Sequence, residues 1–197
     1  ECKIKGNLRL KDIKSTNPIA VGDFVEFTAI EEKVGLISGI YDRKNYIIRR
    51  SSNLSKQSHI LAANLDLVVL VITIRYPETS TIFIDRFIAS AEAYNVPACI
   101  LINKIDLYTE DEMQYAEALK TLYESIGYPV FMLSALKPDT FDTFKQFLTG
   151  KTILISGNSG VGKSTLINAI LPESLAKTGE ISSYHNKGTH TTTFSQL

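Results

Sequence analysis

Cysteine is scarce in this sequence of 197 residues, and long apolar segments are missing from it. Cys2 and Cys99 each lie in an apolar stretch, which favours small core side chains in a reducing compartment and excludes a disulfide framework or a zinc site built from cysteines. The longest apolar run, residues 65–74, contains an aspartate and is about half as long as a membrane-spanning helix. No signal-peptide pattern opens the chain. We therefore expect a soluble, cytoplasmic protein that does not contact a membrane.

The sequence also has no net charge, because 21 Lys and Arg residues balance 21 Asp and Glu residues. A hydrophobic fraction of 44% and a charged fraction of 21% are typical of a globular protein and exclude a disordered or fibrous chain. The balance hides an asymmetry: residues 1–59 hold 11 basic against 7 acidic side chains, and residues 60–197 hold 10 against 14. Such a basic region is either a nucleic-acid contact or a solvated face. Its basic side chains are concentrated at Arg43, Lys44, Arg49, Arg50 and Lys56.

The pattern of apolar residues changes near residue 60. Residues 1–50 contain short alternating runs and no helical periodicity, which predicts a small all-β barrel such as an OB-fold. Polar residues then predict a linker over residues 51–63. From residue 64 to 197, apolar runs alternate with amphipathic segments, which predicts an α/β domain with a mainly parallel sheet. The predicted buried strands are residues 65–74, 98–102, 130–133 and 152–155, and the predicted helices are residues 82–94 and 110–126.

Both ends of the chain look internal to a longer sequence. Glu1 stands in the middle of an alternating run, with no methionine before it, and Leu197 follows the start of a new extended segment. We therefore expect the 197 residues to be a fragment that lacks the first strands of the barrel.

A glycine-rich segment carries the clearest chemical signal. Residues 157–164 fit the pattern of a glycine, four residues and Gly-Lys-Ser, between a predicted strand and a helix. Glycines let successive N–H groups point at phosphate oxygens, and the helix N-terminus adds partial positive charge. Lys163 is expected to reach the terminal phosphates and Ser164 to bind Mg²⁺. The predicted site for a nucleoside di- or triphosphate consists of Gly157, Asn158, Ser159, Gly160, Val161, Gly162, Lys163, Ser164 and Thr165.

Two further loops indicate which base is bound. Asn103, Lys104 and Asp106 follow a predicted strand, where a carboxylate can accept both the N1–H and the 2-amino hydrogen of guanine. Adenine offers no such pair of donors, so it would leave the carboxylate unpaired. Asn103 is expected to join this loop to the phosphate loop, with the stem of Lys104 along the base plane. Ser134 and Ala135 follow the next predicted strand, and the alanine N–H can donate to guanine O6.

The order of these motifs is the reverse of that in most GTPases, in which the phosphate loop comes first. Either the domain is circularly permuted or the chain joins parts of two GTPases. Residues 1–102 contain no Gly-Lys-Ser or Gly-Lys-Thr, which favours permutation. Permutation changes only the connections and leaves each loop at the same edge of the sheet. The alternative function is a P-loop ATPase or kinase in which the Asn-Lys-x-Asp segment is only a turn.

With these motifs in this order, the chain resembles the circularly permuted ribosome small subunit-dependent GTPase A family over essentially its whole length. The resemblance rests on residues 21–23, 84–87, 103–106, 157–164 and 188–193. It implies an OB-fold, a permuted GTPase domain and a small zinc-binding domain whose ligands this chain lacks. It also implies binding of GTP and GDP with Mg²⁺, and hydrolysis stimulated by the small (30S) ribosomal subunit late in its maturation. The implied partners are that subunit and its rRNA, and we expect a monomer.

The resemblance also gives roles to the last residues of the chain. Residues 188–193 look like the first switch, in which Thr192, or next Thr191, binds Mg²⁺ and senses the γ-phosphate. Lys163, His190 and Thr192 are the candidate catalytic residues, with His190 positioning the attacking water. The family's Asp-x-Pro-Gly motif would follow Leu197, so we expect this chain to bind guanine nucleotide better than it hydrolyses GTP.

A further hypothesis, compatible with the GTPase, makes the barrel an RNA-binding module. OB-folds bind RNA through basic grooves and stacking aromatic side chains. The candidate residues are Arg43, Lys44, Tyr46, Arg49 and Arg50.

Overall fold

The computed structural model of the chain describes residues 2–4, 19–31, 34–50, 58–170, 181–182 and 187–188. The strands in these residues are β1 (Cys2–Ile4), β2 (Val25–Glu31), β3 (Val34–Ile40), β4 (Tyr46–Arg50), β5 (Ser58–Ala63), β6 (Leu67–Ile72), β7 (Ala98–Ile102), β8 (Val130–Met132), β9 (Ile153–Ser156), β10 (Ile181–Ser182) and β11 (Lys187–Gly188). The α-helices are α1 (Thr81–Ala93), α2 (Glu110–Ser125), α3 (Asp142–Leu148) and α4 (Lys163–Ile170). Of the described helices, none combines the length and the apolar character needed to cross a membrane.

The centre of the molecule is a parallel sheet in the order β8-β7-β6-β9. Helices cover both of its faces. Leu70 and Ile72 pack with buried residues of α1 and α2, whereas Val69 and Val71 pack with those of α3 and α4. Every residue of β6 and β7 is therefore buried, which explains why these strands read as continuous apolar runs. The predicted α/β domain with a parallel sheet is confirmed.

Helix boundaries follow the local capping residues. The side chain of Ser80 accepts a hydrogen bond from Phe83 N at the start of α1. At the start of α2, Thr109 and Glu112 form a reciprocal capping box. Helix α3 was not predicted, because seven residues with only Phe144 and Leu148 buried give too short a periodic pattern.

The regular structure of the described N-terminal residues consists of β-strands, with no helix among them. β1, β3 and β2 make one sheet, while β4 and β5 form an antiparallel pair. Residues 58–63, predicted as the end of the linker, form β5 instead, and its alternating Ile60 and Ala62 are buried. The closed OB-fold barrel stays a prediction, and residues 5–18 and 51–57 lie outside the described part of the chain.

Two basic side chains of this region form ion pairs within the protein, which the sequence did not predict. Arg43 and Asp23 form a two-point ion pair of 2.6 Å, in which the side chains are only 4% and 1% exposed. The assignment of Arg43 to an RNA-binding surface is therefore wrong. If its guanidinium left Asp23 to bind RNA, the buried carboxylate of Asp23 would have no charged partner. Lys44 pairs with Asp66, and the ring centroids of Tyr46 and Tyr94 lie 4.9 Å apart. The side chains of Arg49, Arg50 and Lys56 lie outside the described residues.

Gly22 sits where the N-terminal residues meet the start of the α/β domain. Val21 O accepts a hydrogen bond from Ala63 N (2.9 Å), and Gly22 O accepts one from the side chain of Asn64 (2.9 Å). Gly22 has a φ of +89°, and a Cβ on it would lie 2.1 Å from the carbonyl oxygen of Ala63. Only glycine fits this close approach.

We expect Gly22→Ala to lower the free energy of unfolding by about 2–3 kcal/mol, because it adds a clash with backbone to an unfavourable φ. Gly127→Ala is the matched control, since Gly127 has a φ of +97° but open space around its Cβ position. Urea unfolding of both variants separates the clash from the φ strain. Equal losses in the two variants would contradict the close approach at Gly22.

The two cysteines differ in exposure. Cys99 lies in β7 and is fully buried, whereas Cys2 in β1 is exposed, so the prediction of two core cysteines is wrong for Cys2. Among the described strands, β1 lies at the edge of its sheet, paired with β3.

A thiol-exchange reagent such as DTNB is expected to modify one cysteine in the native protein at about pH 8, and both after unfolding. Burial raises the pKa of Cys99 to about 12, so its reactive thiolate is scarce as well as inaccessible. Absorbance of the released thiolate counts the reacted groups. Rapid reaction of two thiols in the folded protein would contradict the burial of Cys99.

Candidate nucleotide-binding site

Four loops meet at one edge of the central sheet. They follow β6, β7, β8 and β9, whose carboxyl ends all lie on that edge because the strands are parallel. Hydrogen bonds from Asn103 N to Ile72 O (2.9 Å) and from Leu133 N to Ile102 O (3.0 Å) carry the pairing to the strand ends. Ligands of open α/β sheets bind at this edge.

The phosphate loop is formed by residues 157–162 between β9 and α4. Gly157, Gly160 and Gly162 all have positive φ values. A Cβ on Gly162 would lie 2.4 Å from the Asn103 amide nitrogen, so the close approach of the Asn103 side chain requires glycine at this position. The first turn of α4 follows directly, with Leu166 N bonded to Gly162 O at 2.9 Å. This strand, loop and helix form the anion-binding arrangement predicted from the sequence.

Lys163 lies over the phosphate loop. Its ammonium donates to the carbonyl oxygens of Gly157 (2.9 Å) and Asn158 (2.7 Å). Burial lowers the pKa of Lys163, because the surroundings disfavour the charged form. An anionic ligand in the loop would therefore stabilise the ammonium.

Asn103 joins three loops through one side chain. Its amide nitrogen donates to Val161 O in the phosphate loop (2.9 Å), and its amide oxygen accepts from Ala135 N (3.0 Å). The Asn103 side chain is fully buried, so its polar atoms depend on these protein partners and not on water. The link to the phosphate loop is the one expected from the sequence, while the link to Ala135 was not foreseen.

We expect Asn103→Ala to destabilise the fold by about 2 kcal/mol, because Val161 O and Ala135 N lose their partner in a buried place. It should also lower GDP affinity more than stability alone explains. Asn45→Ala is the matched control: Asn45 is equally engaged, bonding Leu65 N, Leu65 O and Asn95 O, but lies away from the site. Urea unfolding and GDP titration of both variants make the comparison; an equal loss of GDP affinity would contradict the role of Asn103.

Lys104 connects the same region to a loop that holds none of the predicted site residues. Its ammonium donates to Gly160 O in the phosphate loop and to Tyr76 O in the loop after β6, both at 2.7 Å. Lys104 has a φ of +65°, which turns the chain from β7 into the short 3₁₀ helix that carries Asp106. Burial lowers the pKa of Lys104, as it does for Lys163. No local sequence signal marks Tyr76, because its backbone carbonyl makes the contact.

Asp106 and Ala135 line the same region from two loops. Asp106 lies in the 3₁₀ helix Ile105–Leu107 and is half-buried, and its carboxylate accepts no hydrogen bond from the described residues. Ser134 is buried, and its hydroxyl accepts from Leu136 N (3.2 Å), which shapes the turn after β8. Asp106 and Ala135 thus lie in two loops that the side chains of Lys104 and Asn103 connect to the phosphate loop.

The remaining predicted site residues fall into two groups. Asn158, Ser159, Ser164 and Thr165 lie in the phosphate loop or the first turn of α4. His190, Thr191 and Thr192 lie outside the described residues.

Comparison with known proteins agrees with this geometry. Residues 40–197 match the RsgA GTPase family, and residues 1–37 match the RsgA N-terminal domain. The chain is 66% identical over 197 residues to the small ribosomal subunit biogenesis GTPase RsgA of Phocaeicola vulgatus and to RsgA 2 of Bacteroides thetaiotaomicron. These alignments cover 100% of this chain and 64% of each relative, so the chain spans about 64% of their length.

Two solved structures are similar to the chain. YjeQ from Thermotoga maritima has a TM-score of 0.70 and 37% identity, covering 95% of this chain and 63% of that one. YloQ, a circularly permuted GTPase, has a TM-score of 0.64 and 33% identity, covering 87% of this chain and 55% of that one. The predicted circular permutation is confirmed, as is the resemblance drawn from the motifs. Because the family match extends over residues 40–197, the chain belongs to the RsgA GTPase family.

Proposed function

We propose that this chain is the nucleotide-binding part of a GTPase that acts in late maturation of the small (30S) ribosomal subunit. It converts GTP to GDP and phosphate, and the subunit stimulates the hydrolysis. The observation that carries the proposal is the buried Asn103 side chain, which joins the phosphate loop to both loops that face the base. The relatives named small ribosomal subunit biogenesis GTPase supply the choice of partner.

The residues present fit a nucleotide bound with Mg²⁺. The hydroxyl oxygen of Ser164, in the first turn of α4, is of the ligand type that Mg²⁺ takes alongside phosphate oxygens. Bound there, Mg²⁺ supplies charge neutralisation at the phosphates. Backbone N–H groups of residues 157–162 orient the phosphates, and Lys163 stabilises the negative charge that develops on them. The catalysis is therefore mostly positioning and charge stabilisation.

The switch residues complete this proposal. Thr192, or Thr191 beside it, would bind Mg²⁺ and respond to the γ-phosphate, and His190 would orient the attacking water. These roles rest on the family's pattern over residues 188–193, of which only the backbone of Gly188 is described. Slow turnover that rises when the subunit orders this segment follows from such an arrangement.

The remaining parts of the proposal concern location and partners. We infer a cytoplasmic monomer whose N-terminal strands contact rRNA, with Arg49 and Arg50 as the candidate side chains now that Arg43 is committed to Asp23. Zinc is not proposed for this chain: in its described part, no group of three or more His, Cys, Asp or Glu residues could hold a metal ion.

A P-loop ATPase or kinase is not favoured. That function needs the Asn-Lys-x-Asp segment to be an ordinary turn, whereas Asn103 and Lys104 both bond to the phosphate loop. These contacts argue that the segment is part of the nucleotide site.

The test is GTP hydrolysis by the full-length protein, measured with purified small subunits, with large subunits and with neither. Small subunits should raise the rate of hydrolysis at least about 10-fold, because their surface would order the switch at residues 188–193. Large subunits should leave the rate unchanged. ATP in place of GTP should give no stimulated turnover. Equal rates with both subunits would overturn the proposed partner while leaving guanine binding intact.

A further inference from the structure

Tyr108 stands between two of the loops that form the nucleotide site. It directly follows the 3₁₀ helix with Asp106 and precedes the Thr109 cap of α2. Its hydroxyl donates to the carbonyl oxygen of Asn103 (2.6 Å) and accepts from the backbone N–H of Ile74 (2.9 Å). One side-chain oxygen thus joins the end of β7 to the loop that follows β6.

The position of this hydroxyl is set by packing. The Tyr108 ring packs against the core cluster formed between β6, β7, α1 and α2, whose members include Ile72 and Ile102. Burial raises the pKa of Tyr108 to about 12, so the hydroxyl remains a hydrogen-bond donor at neutral pH. A donor held by a packed ring fixes the carbonyl that it binds more firmly than a mobile surface side chain does.

Two other contacts of the described residues hold the loop after β6: one comes from the loop after β7 and the other from helix α2. Lys104 donates to Tyr76 O (2.7 Å), and Arg75 pairs with Glu112 (3.0 Å). The Arg75 side chain is 54% exposed, so that ion pair contributes little. Tyr108 is therefore the main anchor besides Lys104, which would itself contact the nucleotide.

We propose that Tyr108 is a positioning residue for guanine recognition, which holds the backbone of Asn103 against the loop after β6 and so sets the direction of the turn that carries Asp106. The inference rests on the proposed function of the site as a guanine-nucleotide site. Tyr108 acts through the Asn103 and Ile74 backbone and does not contact the nucleotide. Without its hydroxyl, the turn can shift by the fraction of an ångström that weakens a two-point contact with the base.

The test compares GDP with inosine diphosphate, which lacks the 2-amino group that Asp106 would bind. The protein should prefer GDP by about 10-fold, the value of one hydrogen bond to a charged group. In Tyr108→Phe, GDP affinity should fall about fivefold and the preference for GDP should shrink to about threefold. Loss of fold stability alone would lower both affinities equally, so the ratio reports positioning.

Tyr123→Phe is the matched control. Tyr123 packs in the same core cluster, and its hydroxyl donates to Asp85 at 2.8 Å, away from the site. This variant should lower the melting temperature by a similar amount and leave the ratio of affinities at its original value. Melting curves of both variants establish that each is folded before titration.

An unchanged ratio in Tyr108→Phe, or an equal change in Tyr123→Phe, would overturn the positioning role. Failure of the proposed function looks different: the unsubstituted protein would then bind ADP as tightly as GDP. The two failures are thus told apart by adding ADP to the same set of titrations.

Discussion

Replacing Lys163 with alanine is expected to lower the rate of GTP hydrolysis by about 10²–10³-fold, as loss of a preorganised charge at a reacting phosphate does. The ammonium already lies over the phosphate loop, within 2.9 Å of Gly157 O and 2.7 Å of Asn158 O. Burial lowers the pKa of Lys163, because the charged ammonium is poorly solvated there. An anionic partner therefore stabilises this ammonium more than it would stabilise one at the surface. GTP binding should weaken more than GDP binding, because in the proposed site the ammonium would contact the terminal phosphate.

Lys151→Ala is the matched control for this prediction. Lys151 also donates to a backbone carbonyl, that of Phe147, but lies at the surface before β9. Single-turnover hydrolysis and nucleotide titrations of both variants, with small subunits present, measure the difference. A Lys163→Ala protein that turns over as fast as Lys151→Ala would contradict the role of Lys163.

The α/β domain was largely predictable because its strands are buried on both faces. Such strands produce uninterrupted apolar runs, and all four predicted runs contain the observed strands or overlap them. The site was predictable for a related reason: parallel strands bring their carboxyl ends to one edge, so residues far apart in sequence, such as Asn103 and Val161, meet there. The motif spacing carried this information without any detail of side-chain packing.

Side-chain partners were less predictable, because they depend on contacts between distant segments. Arg43 reads as a surface cation until the fold brings Asp23 to within 2.6 Å of it. In the sequence, the polar residues at the start of β5 make it look like a continuation of the linker. Its pairing with β4, which buries Ile60 and Ala62, becomes visible only in the fold. Tyr108 has no signal of its own, since its hydroxyl bonds to backbone groups that every residue carries.

Replacing Asp106 with asparagine should move the base preference of the site from guanine to xanthine. In the proposed site the carboxylate would accept the N1–H and the 2-amino hydrogen of guanine, whereas xanthine has a carbonyl oxygen in place of the amino group. An asparagine amide can donate to that oxygen and still accept from N1–H. We expect the ratio of GDP to XDP affinity to fall by about 10⁴-fold or more, the discrimination typical of sites built on paired hydrogen bonds.

Glu78→Gln serves as the control for the loss of one carboxylate near the site, since Glu78 is exposed in the loop after β6. It should leave both affinities unchanged. Asp106→Asn protein that loses GDP without gaining XDP would point to a damaged fold and not to a changed base contact, and a melting curve identifies that case.

The most direct test of the permuted guanine site is a competition titration of the protein with GDP and ADP at equal Mg²⁺, repeated on Asp106→Asn. The predicted result is at least a 10³-fold preference for GDP over ADP, on the scale of discrimination by paired hydrogen bonds, and this preference should collapse in the variant. Equal binding of GDP and ADP by the unsubstituted protein would contradict the account, because the loop after β7 would then not read the base.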